Sequence, residues 1–388
     1  MPGAAFHCSG HCGCAQAGAR GPPAEAWAFA LPMILRAARF LAGWVLLGAL
    51  GVHLAFVVVQ NVGGIPVWVG ELTRFLPFYW LLLLLCAALL GSLLLRPVFR
   101  LLALCNLALF AFGTLDFHWN FAQQAAAAGT PVRVLTYNMK ALDVWKTKGG
   151  YEGIEREMQQ YAPDIIALQD AQWWLTRDTE WTNTPIQIAQ PISGLPYVVA
   201  FGEFVLASRY PLRDCRVGNL GLSALPGPYQ QCSAAQYLQC TVRLGLQNLQ
   251  VVTAHLARPR NALMAARHNF PEGLQSWRMH VAERLAQSDA LQADLSRFAG
   301  PLILMGDMNT LEQSPVFANL QRAGLRDAFS EAGQGWGYTH GHALSRGVDL
   351  YRIDHILVSP ELAVHKAEAG RISESEHNPV IADLIIRP

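Results

Sequence analysis

The sequence predicts an α+β protein in which about three membrane-spanning helices precede a layered α/β sandwich. Two observations carry that expectation. The first third of the chain holds three long apolar runs almost bare of charge, and from Pro131 the pattern changes to short, β-rich runs that each end in a polar cluster.

Residues 1–32 open with His7, Cys8, His11, Cys12 and Cys14, a set suggestive of soft-metal binding. A Gly/Ala/Pro-rich run without core-forming periodicity follows, and Met33 stands directly before ILRAARF, so a disordered tail or an over-extended start is expected. The twenty residues 40–59 carry no formal charge and, at ~1.5 Å per residue, can cross a ~30 Å hydrocarbon core. A second run covers residues 78–95. The third, 101–115, carries Asn106 and reaches only ~22 Å, with Asp116, Phe117, His118 and Trp119 placed to finish it in the interface.

Arg36 and Arg39 precede the first run, Arg96 and Arg100 separate the second from the third, and only Arg74 lies between the first and second. The positive-inside rule then puts the N-terminus in the cytoplasm, and three crossings carry everything after Trp119 outside a bacterial inner membrane, into the periplasm where there is one. The runs contain only His53, Ser92 and Asn106 as internal polar residues, too few for a transport path. The expected divisions are a tail at 1–32, a membrane region at 33–119, a linker at 120–130 and the sandwich at 131–388.

Charge is uneven. Residues 1–115 hold six Arg and two Glu, leaving 23 basic and 26 acidic residues of the chain's 29 and 28 for the remainder. The downstream domain is therefore mildly acidic, and bulk charge is not what grips its substrate. Of its cysteines 215, 232 and 240, one disulfide is expected, Cys232 with Cys240, if the domain faces an oxidising compartment; buried free thiols are the alternative.

The polar strand ends carry the chemistry. LILMGDMNT, residues 302–310, reads as a strand covered on both faces that delivers Asp307 and Asn309 where it stops. VRVLTYNMK ends on Asn138, DIIALQDAQ on Gln169 and Asp170, and LQVVTAHL on His255. YRIDHILVS carries Asp354 mid-strand, and Glu376 and His377 precede a last strand. Helices are expected near 153–161 and 277–298. Singly, each end is ordinary turn chemistry or a core histidine. Together they supply what phosphate-ester hydrolysis needs: carboxylates for a hard cation, a base for water, and donors for growing charge.

The ordered series TYN, LQD, HL, GDMN, IDHIL and SEHNPV, with FVLASRYPL at 204–212 and DAF at 327–329, resembles the endonuclease/exonuclease/phosphatase superfamily. That family includes deoxyribonuclease I, abasic-site endonucleases, sphingomyelinases and inositol-polyphosphate phosphatases. The resemblance covers residues 131–388 and implies a four-layer αββα sandwich with one Mg²⁺ or Mn²⁺. It places Asn138 and Asp170 at the metal with Glu376 supporting them, and Asp307 at the attacking water. Asn309 and Asn138 would contact the phosphate, His255 would donate to a non-bridging oxygen, and His377 would act as base, oriented by Asp354. Arg258, in HLARPR, would meet a neighbouring phosphate. The chain departs from the family in having LQD for LQE and SEH for SDH, changes of one methylene that compensate if both acids face one cation. The implied protein is a membrane-anchored phosphodiesterase acting on nucleic acid or a phospholipid headgroup at a lipid bilayer, with no protein partner predicted. A catalytically weak phosphate-binding sensor or scaffold is the alternative.

Overall fold

The computed structural model describes residues 24–76, 78–120, 128–175, 184–220, 236–340, 349–370 and 374–388. The unbroken apolar runs form the central strands of two mixed sheets. In the first the order is β14 (Leu362–Ala369), β15 (Val380–Ile386), β2 (Thr130–Asn138), β3 (Ile165–Gln169), β6 (Phe204–Ser208), β5 (Tyr197–Phe201), β4 (Ile186–Ile188). In the second it is β11 (Arg326–Asp327), β13 (Asp354–Val358), β10 (Leu302–Asp307), β9 (Gln247–His255), β8 (Gln236–Leu244), β7 (Leu212–Asn219).

Val134, Ala167 and Leu206 of one sheet meet Val251, Met305 and Ile356 of the other in a buried central core. The helix Gly150–Gln160 covers the outer face of the first sheet through Ile154 and Met158. The helices Glu272–Leu295 and Pro315–Gln321 cover the second through Leu291, Leu295, Val316 and Phe317. These are the four layers expected, because strands apolar on both faces must be covered on both.

The apolar half differs from expectation in its middle. Leu31–Asn61, within α1 (Ala24–Asn61), and Pro97–Thr114, comprising α4 (Pro97–Leu109) and a π-helical turn, are long and apolar enough to cross a membrane. The second expected run forms one helix, shorter than a full span on its own. Its helix α3 (Tyr79–Ser92) has 14 residues, about 21 Å, and with α2 (Val67–Arg74) makes a pair bent by 71°. Counting that pair gives up to three crossings among the described residues. His53 is satisfied by Asn106 at 2.6 Å and Thr114 at 3.1 Å, which ties α1 to the third run.

Two boundaries and one disulfide differ from expectation. α1 begins at Ala24, inside the stretch expected as a tail, since AEAWAFA is rich in good helix formers; His7 through Cys14 lie outside the described residues. His118 and Trp119, expected at the membrane interface, form strand β1 (His118–Trp119), which pairs with β12 (Gln334–Gly335) of the sandwich. The disulfide joins Cys215 to Cys240 and not Cys232 to Cys240. Neighbouring strands β7 and β8 bring those two α-carbons within 4.1 Å at a register shift between Arg213 and Arg216. Cys232 lies outside the described residues.

Candidate active site

β10 sets the site because its two neighbours run in opposite senses. It is parallel to β9 and antiparallel to β13, so Asp307 lies beside His255 on one side and Asp354 on the other. Gly306 is required one residue earlier: its φ is +151° and a Cβ would fall 1.9 Å from the Ala254 carbonyl oxygen. Asp354 is consequently the first residue of β13, not mid-strand as expected.

Asp307 is fully buried, and one oxygen is approached from three directions. Asn138 Nδ2, from the end of β2, donates to Oδ2 at 2.8 Å. His255 Nε2 lies 3.4 Å and His377 Nε2 3.8 Å from the same atom. The other oxygen accepts from the Asn309 backbone N–H at 2.9 Å, a tight turn made with Asn309 at φ +47°. Asn309 Nδ2 donates to the Leu256 carbonyl, so its amide is fixed by backbone.

Each histidine has its own carboxylate. His377 Nδ1 is 2.8 Å from Asp354 Oδ2, the orientation expected. His255 Nδ1 is 2.8 Å from Glu203 Oε2, which sequence reading did not find. Burial takes charge from the first pair: it pushes Asp354 up to about 7 and His377 down to about 3. Burial also pulls on His255, but Glu203, Asp307 and Asp170 outweigh it and the imidazole is held above its usual range.

Asp170, at φ +52° just past β3, is gripped by Lys140 at 2.9 Å and by Arg258. Burial raises its carboxyl, yet His255, Lys140 and Arg258 together hold it well below the usual carboxylate range. Glu376 is exposed at the rim; its backbone carbonyl contacts His340 Nδ1 at 3.0 Å. His340 in turn stacks on His377 with ring centroids 4.2 Å apart. The structure thus brings Asn138, His255, Asp307, Asn309, Asp354 and His377 together. Asp170 and Arg258 stand beside them, and Glu376 stands at the edge.

Among the described residues, two groups have ligand atoms within 4.8 Å of one another: Asp307, Asp354 and His377, and Asp170, Glu203 and His255. Their carboxylate-rich donor sets suit a hard divalent ion. Asp354 Oδ1 in the first group is buried without a hydrogen-bond partner among the described residues, an open lone pair of the kind a cation or its water takes. In the second group Asp170 already faces Lys140 and Arg258, and Glu203 is paired with His255 itself. A cleft of about 370 Å³ opens over the site, lined by His377, Asn309, Lys140, Arg258, Phe75 and Tyr79.

Lys140 and Glu203 were missed for identifiable reasons. Lys140 follows Asn138 in a left-handed conformation that no local motif announces. Glu203 sits in the two-residue hairpin between Phe201 and Phe204, where Gly-Glu reads as turn chemistry. Arg352, which could have paired with Asp354, instead binds Asp327 at 2.5 Å and Glu312.

A sandwich whose two sheets direct acids, amides and histidines to one buried carboxylate defines a phosphoester-hydrolase class of site. Residues 135–377 match the Endonuclease/Exonuclease/phosphatase family, well over half the chain, and the protein belongs to that family. Members of the family are hydrolases acting on phosphodiester bonds, generally with a divalent metal. Among solved structures, an endonuclease/exonuclease/phosphatase from Beutenbergia cavernae is 18% identical, with 66% of this chain and 72% of that one covered and a TM-score of 0.43. The human Nocturnin catalytic domain is 17% identical over 66% and 93%, TM-score 0.43. D. rerio TDP2, solved with a single-strand DNA product, is 16% identical over 66% and 98%, TM-score 0.44. A search of curated proteins finds no match.

Proposed function

We propose that the protein is a membrane-anchored, divalent-metal-dependent phosphodiesterase whose catalytic domain lies outside the cytoplasm. The observation that carries this is Asp307, held by Asn138 between two histidine–carboxylate pairs. Asp307 orients the attacking water and takes its proton. Neutral His377, aligned by Asp354, accepts or relays that proton, while cationic His255, held by Glu203, donates to a non-bridging oxygen of the phosphate. Asn309 and Arg258 contact the phosphate and its neighbour. Asn138 and Asp170, with Glu376 at the rim, would hold a Mg²⁺ or Mn²⁺ ion in exchange for the Lys140 and Arg258 contacts of Asp170, and the ion would supply charge neutralisation for the phosphate.

The Arg distribution and the Cys215–Cys240 bridge favour an oxidising side of a bacterial inner membrane for the domain. The same Lys140 and Arg258 contacts that neutralise Asp170 favour a second reading, a catalytically weak phosphate-binding scaffold. Purified full-length protein, stripped with EDTA and assayed on a soluble phosphodiester with and without Mg²⁺ or Mn²⁺, separates the two. Loss and rescue of hydrolysis is expected; phosphate binding without hydrolysis under any metal selects the scaffold.

A further inference from the structure

The apolar half does more than sit beside the site; it forms part of its wall. Trp277 Nε1, on the helix Glu272–Leu295, donates to the Trp68 carbonyl of α2 at 2.8 Å, and Phe75, Ala262, Trp277 and Val281 bury one another. That docking places Phe75 and Tyr79, at the bend between α2 and α3, in the wall of the cleft that His377 and Arg258 also line. The cleft is therefore lined both by cations, Lys140, Arg258, Arg260 and Arg267, and by aromatic rings supplied by the membrane region.

A second cavity, of about 330 Å³, adjoins it across Tyr351, which lines both. Its walls come from the apolar helices and the sandwich: Phe56 of α1, Leu81 and Leu84 of α3, Phe110 after α4, and Trp336 and Tyr338. The Tyr351 ring stands 6.1 Å from Phe75 on the cleft side and 6.3 Å from Phe78 on the other. The cleft's wall carries aliphatic groups of its own, Leu263 and Met264, the latter 46% exposed. Met264 belongs to the helix Arg260–His268, whose Arg260 and Arg267 flank Leu263 and Met264. Cationic and apolar residues interleaved in this way suit the boundary between headgroups and acyl chains.

We infer that the substrate is an amphiphilic phosphodiester drawn from the bilayer, with its phosphate at Asp307 and a hydrocarbon chain in the cavity between the apolar helices and the sandwich. This rests on the phosphodiesterase reading of the site. A phosphodiester linked to hydrocarbon matches both halves: anionic where the arginines are, apolar where Phe56, Leu84 and Phe110 are. A nucleic acid matches only the first. The reaction balances without a redox partner: water forms one bond to phosphorus, one ester P–O bond breaks, and the water proton leaves with the departing alcohol.

The test compares three substrates on full-length protein in lipid nanodiscs: a long-chain glycerophospholipid, its deacylated glycerophosphodiester, and a single-stranded oligonucleotide. The lipid should exceed the deacylated diester in kcat/KM by at least about 100-fold, and Leu84→Trp should lower that ratio at least tenfold. Equal rates on the first two, or faster cleavage of the oligonucleotide than of the lipid, overturn the inference while leaving the phosphodiesterase reading standing. Hydrolysis of none of the three, nor of a small soluble diester, overturns the underlying reading. Because Leu84→Trp can unfold the helices, a second readout uses the unaltered protein with a non-hydrolysable lipid carrying a diazirine on its chain. Labelling of residues 78–84 or 110–115 is expected, and labelling confined to the outward-facing residues Phe40, Trp44 and Leu47 contradicts the cavity.

Discussion

The two histidine–carboxylate pairs flanking Asp307 have the same hydrogen-bond geometry and opposite electrostatics. Each Nδ1 is 2.8 Å from its carboxylate and each Nε2 faces Asp307 Oδ2. Burial lowers the pKa of His377, whereas three acids around His255 outweigh burial and raise that of His255. Geometry alone therefore does not assign a histidine its role. The number of charges facing it does, and that number is set by the β5–β6 hairpin that carries Glu203 and the turn after β3 that carries Asp170.

That difference can be sharpened by mutation. The largest effect is expected at the neutral pair: His377→Ala should lower kcat by about 10³-fold, since general acid–base groups contribute 10²–10⁴. A drop smaller than tenfold in steady-state assays would remove it from proton transfer. Asp354→Asn should cost about 10²-fold in kcat with little change in KM, because it acts only by aligning His377. Glu203→Gln should cost about tenfold and appear mainly in KM for the phosphate group, as expected of a charge that binds rather than transfers a proton. Equal kcat losses in Asp354→Asn and Glu203→Gln would erase the proposed distinction.

The smallest expected effect is on pH-dependent stability. His255 has a raised folded-state pKa, so the stability it draws from Glu203 is fully present below its unfolded value of about 6.5 and declines as pH rises through the folded value. In metal-free protein the Tm gap between wild type and Glu203→Gln should be widest below pH ~6.5 and narrow above it. A gap that widens with alkalinity would mean His255 is not held cationic.

The same contrast explains what could be read from the sequence. The αββα layers and the members of the neutral pair were legible, since Asp354 and His377 lie in apolar strand contexts with the IDHIL and SEHNPV wording. Glu203 was not, because its partner is 52 residues away and its own hairpin makes an acid look ordinary. Lys140 and Arg258 on Asp170 were equally hidden, since ion pairs across β-strand ends leave no periodicity. The bend ahead of the second run also escaped: apolar composition reports that a segment avoids water, not that it meets α2 at 71°, with Glu71 of α2 against Arg284. That fully buried pair matters to the site, because Arg284 also donates to the Asn309 carbonyl at 2.5 Å.

In the proposed mechanism all of these roles depend on Asp307 preparing the water. The most direct measurement is the rate of hydrolysis of a small soluble phosphodiester by the full-length Asp307→Asn protein at saturating Mg²⁺ or Mn²⁺, beside wild type of equal Tm. Loss of the carboxylate, with its shape retained, should lower kcat by about 10³-fold or more; a rate within tenfold of wild type would contradict the account.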